Sequence, residues 1–180
     1  MTDRYEIVLA GTGGQGLILA GLMLAEAAAI HDNKNAVQSQ DYGPEARGGT
    51  SKAEVIISSE QIDYPKVMSA DLLLAMSQEA ADRFYFKLKK NGILVVDSDL
   101  VMRLPTSKAH VLALTATALE KTGKRMTASV VALGAIVGLT GVVSRAGIEA
   151  AVAARAPSGT AELNLLALSA GFALVAPGMS

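Results

Sequence analysis

Six residues, Gly11-Thr12-Gly13-Gly14-Gln15-Gly16, constrain this chain most, because they separate an apolar run suited to a buried strand from one suited to a helix. Glu6-Ile7-Val8-Leu9-Ala10 precedes them, and Leu17, Ala20, Leu24 and Ala28 follow at helical spacing. Strand, glycine turn and helix is the order in which a G-x-G-x-x-G segment turns tightly and aims unpaired N–H groups at an anion. A second glycine turn, Tyr42-Gly43-Pro44-Glu45-Ala46-Arg47-Gly48-Gly49, follows a second strand-like run at residues 36–40. If both strands run the same way, both turns lie on one rim of one sheet.

The rest of the chain keeps the alternation. Residues 51–58 alternate as a half-buried third strand; residues 71–75 and 92–97 read as core strands separated by a helical stretch over 78–89; residues 110–114 supply a further strand. Helical patterns follow at 116–121, 128–139, 148–154 and 161–173, with Ser144 placed to cap the third of these and 157–160 breaking the chain before the last. The expected fold is α/β: a three-layer α/β/α sandwich on a mostly parallel or mixed, Rossmann-like sheet, in a single domain over residues 1–180.

Charge and cysteine content then exclude whole classes of function. Lys and Arg total 16 against 17 for Asp and Glu, so a net charge of −1 gives no electrostatic case for nucleic acid or an anionic membrane. The longest apolar stretch, 130–143, is broken by three glycines and falls short of the about 20 residues a bilayer span needs. The mixed-charge start of the chain lacks the basic-then-apolar order of a signal peptide, which makes the cytoplasm the expected compartment. With no cysteine, the chain cannot ligate an iron–sulfur cluster through thiolates and has no thiol nucleophile. A 51% apolar composition, mostly Ala, Val and Leu, is high for a monomer and points to surface covered by other subunits.

The candidate site is the glycine rim: Gly11, Gly13, Gly14, Gln15 and Gly16 from the first turn, with Arg47, Gly48 and Gly49 from the second. Two uses stay open for the first turn. It serves a small anion, or its glycines only allow a helix to pack close on a strand. Arg47 likewise either clamps a phosphate or carboxylate or pairs with a partner chain, and the stiff, donor-rich loop favours recognition over catalysis. A dinucleotide is poorly supported, because the end of the second strand carries Gln or Ser where a carboxylate should bind the ribose; Asp41, the nearest, opens the following loop. His31 and His110 have no evident catalytic partner. Asp97-Ser98-Asp99 reads as a cap or turn in preference to a Mg²⁺ site, and Met68, Met76 and Met126 as core or interface fillers. No catalytic or metal-binding residue is assigned.

The two glycine motifs at this separation, the helix from Leu17 to Ala28, the run Ala70-Asp71-Leu72-Leu73-Leu74-Ala75, and later Leu133-Gly134-Ala135 and Asn164-Leu165-Leu166-Ala167-Leu168 together resemble the gamma subunit of 2-oxoacid:ferredoxin oxidoreductases. The resemblance covers nearly the whole chain and is nearest to the 2-oxoglutarate synthase branch, with the pyruvate, branched-chain 2-oxoacid and indolepyruvate branches as alternatives. One departure is that the family places an Asn before the Leu-Gly-Ala segment, where this chain has Thr127-Ala128-Ser129.

The resemblance implies a multi-subunit enzyme in which alpha, beta and ferredoxin-like delta subunits carry thiamine diphosphate, Mg²⁺ and [4Fe–4S] clusters. Ferredoxin accepts the electrons, and CoA, the co-substrate, leaves as acyl-CoA. This chain would bear no cofactor alone, would support catalysis without performing it, and would form a homodimer when isolated. A stand-alone nucleotide- or anion-binding module is the alternative from outside the family.

Overall fold

The computed structural model describes residues 3–42 and 49–178. Its centre is a six-stranded sheet in the order β2-β3-β1-β4-β5-β6. The strands are β1 (Arg4–Thr12), β2 (Asn35–Tyr42), β3 (Thr50–Ser58), β4 (Ala70–Ala75), β5 (Leu88–Asp97) and β6 (His110–Leu112). From β1 through β4 and β5 to β6 the pairing is parallel, whereas β3 runs antiparallel to both β1 and β2. Because β3 opposes both neighbours, β1 and β2 run in the same sense, and the chain leaves both at the same rim.

Strand alternation decides the layers. Ile7 and Leu9 of β1 face one side, where α1 (Leu17–Glu26), α3 (Leu114–Thr122), α4 (Ala128–Thr140), α5 (Arg145–Arg155) and α6 (Ala161–Leu174) bury the larger core. Val8 and Ala10 face the other side, covered by α2 (Gln78–Phe84) through Ala80, Ala81 and Phe84. The expected three-layer α/β/α arrangement on a mostly parallel, mixed sheet is what the chain adopts, with unequal helical layers. No helix among the described residues is long and apolar enough to cross a membrane.

Four local expectations change. β3 is buried along almost its whole length instead of on one face only, because residues after it fold over it: Glu54 accepts from Val67 N, and Glu6 of the neighbouring β1 accepts from Met68 N and Ser69 N. The stretch expected to be helical to residue 89 leaves the helix at Phe84, passes through a 3-10 turn (Tyr85–Lys87) and is already β5 from Leu88. β2 continues through Tyr42, so Asp41 lies on a strand and not in a loop. β6 stops at Leu112, because Leu114 already begins α3. Of the three methionines, Met76 is core, whereas Met68 and Met126 are exposed.

Candidate functional site

The glycine rim begins with a backbone contact between the two turns. Gly13 N donates to Gly49 O at 3.0 Å, so the segment leaving β1 is tied directly to the residue that leads into β3. Arg47 and Gly48, the other two predicted members of the second turn, lie outside the described residues.

Within the first turn the residues divide by task. A β-carbon on Gly11 would lie 2.1 Å from Gln15 Oε1 and 2.7 Å from Leu17 Cδ1, so its lack of a side chain serves packing. Gln15 also works internally: its Oε1 accepts from Thr12 N at 2.7 Å and its Nε2 donates to Met76 O at 2.9 Å, strapping the turn to the end of β4. Gly14 and Gly16 have φ of +89° and +80°, a left-handed backbone that glycine adopts without strain. Gly13, Gly14 and Gly16 are exposed. Among the described residues no side chain caps α1, and no acidic residue occupies its first turn to oppose an anion at its leading amides.

Two clefts flank this turn. One, about 310 Å³, is lined by Thr12, Gly14, Gln15, Leu100, Thr115 and Arg125 among others. The second, about 190 Å³, runs past Gly16 over Leu19, Met23, Val130 and Leu163, with Lys124 and Ser129 supplying polar groups. Lys124 and Arg125 make no ion pair among the described residues. Ser129 is 4% exposed and lines this cleft. Sequence reasoning missed this cationic pair. Its signal was two consecutive cations after Gly123, whose φ of +69° turns the chain out of α3 and back toward the rim.

The other polar candidates go elsewhere. Asp97 is fully buried and acts as a cap: Oδ2 accepts from Thr115 N at 2.9 Å and Thr115 Oγ1 at 2.5 Å, and Oδ1 accepts from Asp99 N at 2.9 Å. His31 closes the π-turn (Ala27–His31) after α1, and His110 opens β6; both are exposed. Among the described residues no three His, Cys, Asp or Glu side chains gather as metal ligands. The topology also weakens a dinucleotide site. β3 separates β2 from β1, which puts Asp41 about 10 Å across the sheet from the first glycine strand instead of next to it.

Known proteins share this arrangement from end to end. The 2-oxoglutarate synthase subunit KorC of Methanocaldococcus jannaschii is 47% identical, over 94% of this chain and 92% of its own length. The crystal structure of a keto/oxoacid ferredoxin oxidoreductase gamma subunit from Geobacter sulfurreducens superposes with a TM-score of 0.87 at 50% identity, covering 96% of both chains. The same fold forms 31% of a longer chain in a 2-oxoglutarate:ferredoxin oxidoreductase from Magnetococcus marinus, with a TM-score of 0.85 at 23% identity over 97% of this chain. Residues 6–174, which hold both the sheet and the rim, match the family model described as pyruvate ferredoxin/flavodoxin oxidoreductase, and the chain belongs to that family.

Proposed function

We propose that this chain is the gamma-type subunit of a 2-oxoglutarate:ferredoxin oxidoreductase, in which it shapes the site where CoA meets the acyl group and carries no redox centre of its own. The similarity to 2-oxoglutarate synthase subunits favours 2-oxoglutarate over pyruvate, branched-chain 2-oxoacids and indolepyruvate. Alpha, beta and delta subunits hold thiamine diphosphate, Mg²⁺ and the [4Fe–4S] clusters, and ferredoxin takes the electrons. The residues here do not suit the clusters, since the chain has no cysteine to ligate one. Residues 1–180 act as one domain, in the cytoplasm.

The observation that carries the site is the Gly13–Gly49 bond. It brings the exposed amides of the first turn, the start of α1 and Gly49 to one place, beside Arg125 and Lys124. Phosphate oxygens of CoA accept from such amides and from guanidinium more strongly than neutral acceptors do. A carboxylate of a docking subunit is the competing occupant.

Reconstitution of the complex separates these cases. Arg125→Ala is expected to raise the KM for CoA about tenfold with kcat and subunit composition unchanged. Loss of subunits from the purified complex would assign the rim to docking instead, and an unchanged KM with unchanged assembly would remove the rim from function. A complex lacking this chain that still reduced ferredoxin at full rate from 2-oxoglutarate and CoA would overturn the subunit assignment.

A further inference from the structure

At its start β5 makes an excursion that sheet pairing does not need. Ala70 pairs with Leu88 and Leu72 with Ile93, so four residues of β5, 89–92, stand against the single Asp71 of β4. A β-carbon on Gly92 would lie 2.6 Å from Leu88 Cδ1 and 3.0 Å from Lys89 O, so the chain doubles back on itself at a point that has no room for a side chain. The excursion sets the exposed Lys89 and Lys90 on the wall of a pocket of about 340 Å³, a size suited to a small molecule. Leu88 and Leu94 line it with part of the smaller core, Tyr85 and Phe86 of the 3-10 turn add two rings, and Thr106 and Lys108 join from the loop before β6. Because β1, β4 and β5 run parallel, this pocket lies at the end of the sheet opposite the glycine rim.

Among the described residues three lysines and no carboxylate line the pocket, in a chain whose net charge is −1. Lys89 Nζ is engaged by Asp71 Oδ1 at 2.7 Å, whereas Lys90 and Lys108 make no ion pair among those residues. Thr106 Oγ1 accepts from Lys108 N at 3.3 Å and keeps its own proton to donate. Phe86 leaves 77% of its surface exposed, in a chain with only 4% aromatic residues. We infer that the pocket takes a nucleoside phosphate, with the base against Tyr85 and Phe86 and the phosphate on Lys90, Lys108 and Thr106. Two free ammonium groups favour a dianionic phosphate over a single carboxylate, since both gain from the second negative charge. The two rings favour a planar aromatic body over an acyl chain, since offset stacking adds to the area buried. The site is independent of the reading of the glycine rim.

Amide chemical shifts of the full chain, titrated with ADP, pyrophosphate and adenosine, test this, because the Gly92 signal reports this pocket and not the rim. ADP is expected to shift Gly92 with a Kd of about 0.1 mM, at least about tenfold tighter than pyrophosphate or adenosine, each of which makes only part of the contacts. Lys90→Ala combined with Lys108→Ala is expected to weaken ADP at least about tenfold. Phe86→Ala is expected to weaken ADP about fivefold and to leave pyrophosphate unchanged. All three side chains are exposed, so the variants should keep the native melting temperature. No shift of Gly92 at about 1 mM ADP, ADP no tighter than its parts, ADP binding unchanged by the paired lysine substitution, or a Gly92 titration lost in Arg125→Ala would each overturn the proposal.

Discussion

A β-carbon on Gly134 of α4 would lie 3.0 Å from the α-carbon of Gly171 on α6, so the two helices cross backbone to backbone at this pair. The contact is closer still to the carbonyls: the same β-carbon would be 2.1 Å from Leu168 O, and one on Gly171 would be 1.9 Å from Val131 O. Alanine gains about 1 kcal/mol of helix propensity over glycine, but here it must force apart two main chains that have no soft side chain to yield. Gly134→Ala and Gly171→Ala are each expected to lose about 3 kcal/mol net in denaturant titrations. A loss below about 1 kcal/mol in both would mean that the helices separate freely.

The Gln15 strap joins the first turn to the end of β4, and it needs both halves of a carboxamide. Gln15→Ala leaves Thr12 N and Met76 O without their partners, at a cost of about 1–3 kcal/mol. Gln15→Glu keeps the acceptor but turns an ionised oxygen toward Met76 O. It is expected to be less stable than the native chain at neutral pH and to recover part of the loss in acid, where a protonated carboxyl can donate again. Equal losses at both pH values would remove the Met76 bond from the account.

How much of this was legible in the sequence depends on what each residue had to signal. β1, β4 and the helices from α3 to α6 follow from apolar period and punctuation. Neither the direction of β3 nor its place between β1 and β2 does, since alternation reads the same in either sense and at either position. The start of β5 was hidden because Lys89, Lys90 and Asn91 are exposed and carry no apolar alternation, and its pairing with β4 slips between Ala70 and Leu72. Glu54 looked like a solvated strand position; it is buried because Val67 N and two lysines close over it. At the rim the glycines were visible, but Arg125 was not, because only the fold brings it from beyond α3 to Gly14.

Asp97 stands in for the cap that α3 lacks, since Ala113 supplies no side-chain acceptor and the first turn holds no acid. Three donors converge on its two buried oxygens. Asp97→Ala is expected to cost about 3 kcal/mol, and Asp97→Asn less, because an amide oxygen replaces one acceptor while its NH₂ meets a donor. Thermal unfolding of the two variants against the native chain measures both, and Asp97→Ala within about 0.5 kcal/mol of native would refute the capping role.

Burial, followed by the nearby Asp71 carboxylate, pushes the Tyr5 phenol up to about 12 from 10.0. The folded value lies above the unfolded one, so the stabilisation is complete below pH 10.0 and disappears as pH rises through about 12. Spectrophotometric titration of the four tyrosines should end in a late step that Tyr5→Phe removes. A late step that persisted in Tyr5→Phe would assign it to another phenol.

Glu54 gives the opposite pH limb. Burial alone would raise its carboxyl, but the hydrogen bond from Lys52 at 2.8 Å, the charges of Lys52 and Lys87, and the Val67 amide together hold it below the ordinary 4.5. A folded value below the unfolded one means the unfolded chain binds the extra proton first. The stabilisation is therefore complete above pH 4.5 and is lost as pH falls through the folded value. Glu54→Gln removes that dependence and also strips two lysines of their shared counter-charge. It should be less stable at pH 7 by about 1–3 kcal/mol, with the gap to the native chain narrowing steadily in acid. Denaturant midpoints taken through the acid range check this, and a gap that stayed constant with pH would show that the Glu54 proton is not linked to folding.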